Sequence, residues 1–325
     1  MLWFDRISSA VRLPLNPGLL LFGIAPFPLL LLVGTWAAGI VGQTFVTGLY
    51  YFAPIVTVVG AFALFLARYL AKQTEGLVGY SAALSPDERT EGYTKLYAFA
   101  PIFVVWTLSN LFVLPIYFLT VIPSTFTLVQ KVLVSVAFYY WNLPLGTFIW
   151  VCLYSSYKMY KIGKRPMKLR RFTEDRTLGL RPFGRLSLRI TAAIIITIST
   201  VEIPQFVIGI ASVSVLLVYA FFAGLAVVLF FLPLLPLHAK LVRTKAEELA
   251  RISARYTRFI DALDGGSKAD GEMASEIAVI DKLQRDLHQI HNWPFDTGIV
   301  TRLLAILLSV SAILVSAYIR DLGHF

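Results

Sequence analysis

The chain is short of charge: only 15% of its 325 residues are Asp, Glu, Lys or Arg, while 57% are hydrophobic. Soluble domains carry roughly a quarter charged residues, so an ordinary water-facing surface is excluded over much of the length. The mean hydropathy of +0.72 points to a bilayer as the solvent. Cysteine is nearly missing as well. Cys152 stands alone, which excludes an internal disulfide framework. No HExxH, GxSxG, Gly-rich phosphate loop or Cys-rich spacing occurs. The expectation is therefore no enzyme, no catalytic residue, no cofactor and no metal. His288 and His291, three apart, are the one pair that suggests a ligand set. They lack a third partner and read more simply as a solvated helix face.

What is present is a series of long apolar runs. A bilayer core of roughly 30 Å takes about 20 apolar residues as a helix, because backbone groups must be paired internally. Segments about 18–42, 50–70, 97–121 and 127–157 meet that length, with the first read as a retained span. Ahead of them, residues 1–13 read as an interfacial amphipathic helix anchored by Trp3 and Phe4. Residues 190–236 hold one charged side chain, Glu202. As a single helix they would reach about 70 Å, so the run must fold back. The Glu202-Ile203-Pro204-Gln205 stretch is the expected turn, with a turn nearer Gly209 as the alternative. That gives segments about 188–204 and 206–236, and a seventh about 297–319.

The basic residues fall between spans in alternation. Loop 71–96 carries Lys72, Arg89 and Lys95; loop 158–189 carries eleven Lys and Arg; Lys240, Arg243, Lys245 and Arg251 follow segment 6. The opposite loops, 43–49, 122–130 and 202–205, carry none. Basic loops stay cytosolic. The expected architecture is thus all-α and polytopic, with seven transmembrane helices, the amino terminus cytosolic and the carboxyl terminus extracellular. The net charge of +10 then reports topology, and nucleic acid is not an expected partner. Multi-pass placement in the cell membrane follows.

Residues 237–296 form the one sizeable soluble element expected, between helices 1 to 6 (1–236) and segment 7 with its tail (297–325). Leu249, Ile252, Tyr256, Phe259 and Leu263 are spaced 3-4-3-4; Ile277, Ile280, Leu283, Leu287 and Ile290 repeat nearly the same rhythm. A polar Gly265–Gly271 link separates them. This predicts a helical hairpin over 238–263 and 272–291 with one apolar seam per helix. About fifty residues bury little core alone, so the seam is expected to pack on other copies or on inner ends of membrane helices.

Segment 7 is the most informative. Thr301, Ala305, Ser309, Ala312 and Ser316 recur at 4-4-3-4 spacing and share one helical face. Such a stripe either lets helices approach closely or lines a narrow wet conduit. Both uses stay open. Glu202 is either a functional intramembrane acid or an outer-turn residue. Asn110 and Asn142 are expected to bond helix to helix. Phe138-Tyr139-Tyr140-Trp141 fits an aromatic belt better than a ligand pocket.

Seven spans with an inside amino terminus, and a cytosolic hairpin feeding segment 7, resemble the seven-transmembrane ion channel superfamily of insect odorant and gustatory receptors. The resemblance is one of topology. It implies a homotetrameric, ligand-gated cation channel with helix 7 lining the pore. It also implies a cytosolic anchor near 272–291 and a small-molecule pocket between the outer halves of the other helices. Thr301, Ser309 and Ser316 would then face the conduit. A small-solute transporter using Glu202, and a non-conducting receptor or scaffold, are the alternatives.

Overall fold

The structure, a computed structural model, describes residues 2, 43–84, 93–120, 127–167, 169–170, 175, 177–207, 213–264, 271–295 and 297–322. Segment 1, the 1–13 amphipathic stretch (apart from residue 2), residues 85–92 of the 71–96 loop and the Gly-rich link lie outside them. Among the described residues all regular structure is helical: α1 (Gln43–Leu84), α2 (Phe99–Thr120), α3 (Leu128–Lys164), α4 (Arg181–Val207), α5 (Val213–Phe231), α6 (Leu235–Asp264), α7 (Gly271–His288) and α8 (Thr297–Leu322). A 3-10 turn over Leu232–Leu234 carries α5 into α6 without a break, so the chain makes seven continuous rods there.

α4 is the hub. It packs against α1, α5 and α8, while α3 holds α1, α2, the 232–234 turn and α6. Two stretches, Arg181–Thr200 and Tyr219–Arg258, are long and apolar enough to cross a membrane; Phe99–Leu111 and Gly298–Ala312 are shorter apolar helices.

Four expectations change, the first at residues 43–49, where the expected outer loop is helical from Gln43. The 71–96 loop is helical as far as Leu84. Ala71, Thr74, Leu77, Val78, Ser81 and Leu84 are buried at helical spacing, so this stretch is amphipathic rather than simply polar. α1 is thus 42 residues long, about 63 Å, well beyond a bilayer core. Likewise α3 runs past residue 157 to Lys164, and α4 starts at Arg181, which leaves a shorter basic loop. The fold-back does not fall at Glu202–Gln205: α4 continues through Pro204 to Val207, and α5 begins at Val213. The alternative turn near Gly209 lies outside the described residues.

Polar contacts fix the helix pairs. Thr74 Oγ1 and Ser155 Oγ are 2.7 Å apart between α1 and α3. Asn142 Nδ2 donates to Asn110 Oδ1 at 2.9 Å, so the two residues expected to bond helix to helix bond each other. Trp106 Nε1 donates to the Tyr139 carbonyl at 2.7 Å, one residue ahead of the carbonyl that Pro144 deprives of its donor. A Cβ on Gly146 would lie 2.7 Å from Trp106 Cβ, so only glycine lets α2 and α3 come this close. Between α4 and α5, Ser187 Oγ donates to the Phe230 carbonyl at 2.6 Å, next to the proline-containing 3-10 turn.

The loop ahead of α4 is organised by Asp175. Its carboxylate accepts from the Thr177 amide and hydroxyl and from the Gly179 amide, at 2.8 to 3.0 Å. Partial burial pushes this carboxyl up, yet those bonds and the charge of Arg181 outweigh it and hold it below the usual carboxylate range. Tyr80 on the α1 extension donates to the Gly179 carbonyl at 2.8 Å, which ties the turn to the bundle.

Candidate functional site

α8 presents two different faces. Ile299 and Leu303 are buried, and Ile306, Leu307 and Val310 pack behind them against the core that α4 supplies. All five stripe residues, Thr301, Ala305, Ser309, Ala312 and Ser316, lie on the exposed side. Leu304, Leu308, Val315 and Ile319 flank them, with Leu308 68% exposed. The small and hydroxyl residues therefore lie outside the buried face by which α8 packs on α4. Their sector is available to lipid, water or another chain.

The hairpin is arranged the other way. α6 and α7 pack together, with Ile252, Ile280 and Leu287 buried and Leu249 and Leu283 packed against the same core. Tyr256 stays 41% exposed, and the Phe259 side chain lies outside the described residues. Lys245 Nζ reaches the Ile290 carbonyl at 3.0 Å, from α6 across to the chain just past the end of α7. That end comes at His288, three residues earlier than expected. His288 and His291 thus do not share a helix face. Among the described residues no cluster of three His, Cys, Asp or Glu is placed to hold a metal.

The joint between hairpin and α8 is aromatic. The Trp293 ring stacks on His238 at 4.2 Å and on Phe295 at 5.5 Å, and Phe295 meets Phe230 at 5.4 Å. His238 Nδ1 lies 2.6 Å from the Asn292 carbonyl, which can only accept, so that nitrogen donates. The Pro294 carbonyl sits where a Cβ on Gly184 would come within 2.4 Å. The start of α8 is thereby fixed both to α4 and to the α5–α6 rod.

Beside this joint lies a feature that sequence reasoning overlooks. Arg302 interrupts an otherwise uncharged 298–319 run, and that interruption was the available signal. With Arg181, Arg185 and Arg189 of α4 it lines an open cavity of about 380 Å³, completed by Leu188 and Ile299. Arg189 bonds Gln73 of α1 and lies over the Tyr69 ring. Glu202, by contrast, lies on α4 some thirteen residues farther along, and its side chain is outside the described residues. Of the 138–141 aromatics, Tyr139 turns inward against Trp106, with ring centroids 4.2 Å apart, and Tyr140 turns outward.

No protein-family model, no curated protein and no solved structure matches the chain.

Proposed function

We propose that this is a multi-pass protein of the cell membrane that assembles as a homo-oligomer around α8 and works as a channel. Membrane placement is supported by the apolar surface the chain leaves uncovered. Phe65, Leu108, Leu111, Leu128, Val136 and Phe221 are each more than half exposed, which water tolerates poorly at this extent. With the basic ends inside, the topology is seven spans, the first of them 18–42.

The observation that carries the channel reading is the outward stripe of α8. Lipid gains nothing from Thr301, Ser309 and Ser316, whereas a second copy gains close approach and a wet axis gains hydroxyls. Copies of α8 around an axis satisfy both uses at once, and a tetramer is the number that the topological resemblance suggests. That resemblance makes the permeant ion a cation. Four guanidiniums beside the inner end of α8 oppose a cation unless an anion covers them, so the sign of the permeant charge is a sharp measurement.

Single-particle imaging in nanodiscs, followed by bilayer recording, tests the proposal. A ring with α8 at its axis and a conductance reduced by Ser309→Leu is expected. A monomer, or a dimer with α8 at the periphery, overturns it. A carrier is the second reading, favoured by Glu202 lying on α4 and not in an outer turn. Unchanged solute uptake in Glu202→Gln would remove it.

A further inference from the structure

Arg181, Arg185 and Arg189 recur every four residues along the first turns of α4, and Arg302 converges on them from α8. Among the described residues the lining holds four guanidiniums and no carboxylate. Gln73, a neutral side chain, holds Arg189 and leaves its charge uncancelled. Asp175 offsets part of the charge of Arg181. Like charges gathered this way, in an open cavity, raise a positive potential that an anion lowers.

We infer that this bowl is a binding site for a phosphate-bearing group, supplied by the headgroup of an anionic phospholipid that carries phosphomonoesters. The guanidinium fork matches two phosphate oxygens at once, which an ammonium does not. The amino-terminal end of α4 adds its positive dipole end on the same side. A space of about 380 Å³ exceeds one phosphate and suits a phosphorylated ring, whose carbons would rest on Leu188 and Ile299.

The surroundings favour a lipid as the source. Along the same face of α4 the exposed side chains change from arginine to apolar: Ile196, seven residues beyond Arg189, is 43% exposed. That is about 10 Å of helix. Phosphate at one level and hydrocarbon just above it is the profile of a phospholipid. A soluble phosphate compound would have no use for the apolar continuation. The phosphate chemistry stands on the arginines alone, and the lipid source rests on the membrane reading. Channel activity is not required by either.

The test uses the full chain in detergent, and its readout does not depend on conduction. Its unfolding temperature is followed while short-chain phosphatidylinositol bisphosphate, phosphatidylcholine or soluble inositol trisphosphate is added. A saturable rise with the phosphoinositide and none with phosphatidylcholine is expected. Arg185→Gln with Arg302→Gln should weaken that binding on the order of a hundredfold, about tenfold for each guanidinium removed. Removing two exposed charges elsewhere, Arg255→Gln with Arg258→Gln on α6, should leave it unchanged. If the glutamine pair fails to fold, Arg185→Lys with Arg302→Lys keeps the charge but loses the forks, and should bind about tenfold more weakly. A comparable rise with inositol trisphosphate upholds the site and makes a free phosphorylated solute its source. Equal rises with all three additions, binding by the glutamine pair as tight as by the native chain, or an undiminished lysine pair overturns it.

Discussion

The α6–α7 hairpin and the bundle of α1 to α5 are both built of paired helices, but the contacts that single out each pair differ. Between α6 and α7 the contact is aliphatic: Ile252, Ile280 and Leu287 are buried, and Leu287 is fully so. Between α1 and α3, α2 and α3, and α4 and α5 the contacts include Thr74 with Ser155, Asn110 with Asn142, Ser187 with the Phe230 carbonyl, and the Gly146 notch. With the membrane placement proposed above, the solvent accounts for the difference. In water an aliphatic seam is driven together by burial. In lipid a leucine is as comfortable outside as between helices, so close approach and hydrogen bonds decide which helices meet. The same rule accounts for α8, whose leucines at 304 and 308 face outward.

The contrast breaks first where the expected effect is largest. Leu287→Ala should destabilise the hairpin by about 2–5 kcal/mol, the usual range for a buried leucine replaced by alanine. Its readout is protease sensitivity of 235–290 together with the unfolding temperature. Tolerance of this change would mean that burial does not hold the seam. The next effect is overpacking at the notch. Gly146→Ala places a methyl 2.7 Å from Trp106 Cβ and 2.8 Å from Trp106 Cα, backbone that cannot turn aside. A destabilisation of about 1–3 kcal/mol is expected, and a shift in Trp106 fluorescence should accompany it. An unchanged spectrum and stability would show that α2 and α3 do not approach this closely.

Much of the fold was legible because periodicity is local. The hairpin rhythm and the runs behind α2, α3 and α8 could be read from spacing, and Asn110 and Asn142 could each be read as a helix-to-helix bonder, but not as each other's partner. The α1 extension was equally legible in Ala71, Thr74, Val78 and Ser81, but Lys72, Gln73 and Glu75 between them gave it the look of a loop. Pro204 was misleading because a proline reads as a helix stop, whereas α4 runs through it to Val207. The arginine bowl was legible only in part, through Arg302 interrupting the 298–319 run. Arg181, Arg185 and Arg189 already had a sufficient explanation as basic residues on the cytosolic side, and only the packing of α8 on α4 brings Arg302 to them. Spacing along one helix says which residues share a face; it does not say what a distant helix adds.

The smallest expected effect is also the most discriminating. Asn142→Leu removes the donor to Asn110 Oδ1 without opening a cavity, since leucine branches at the same carbon and is the larger side chain. Asn110 would keep its own bond to the Trp106 carbonyl, at 2.8 Å, while its side-chain oxygen would go without the Asn142 donor. Interhelical hydrogen bonds in membranes average about 0.6 kcal/mol and reach about 1.7. A destabilisation in that range, measured by unfolding in detergent or bicelles, is expected, well short of Leu287→Ala. An effect as large as that of Leu287→Ala would mean that the Asn pair sits in a dry site where an unpaired amide is far more costly, and the two regions would then differ in what each strands when broken. No measurable change would leave Gly146 and the Trp106 indole as what joins α2 to α3, and would shift the weight in the bundle from hydrogen bonding to close approach.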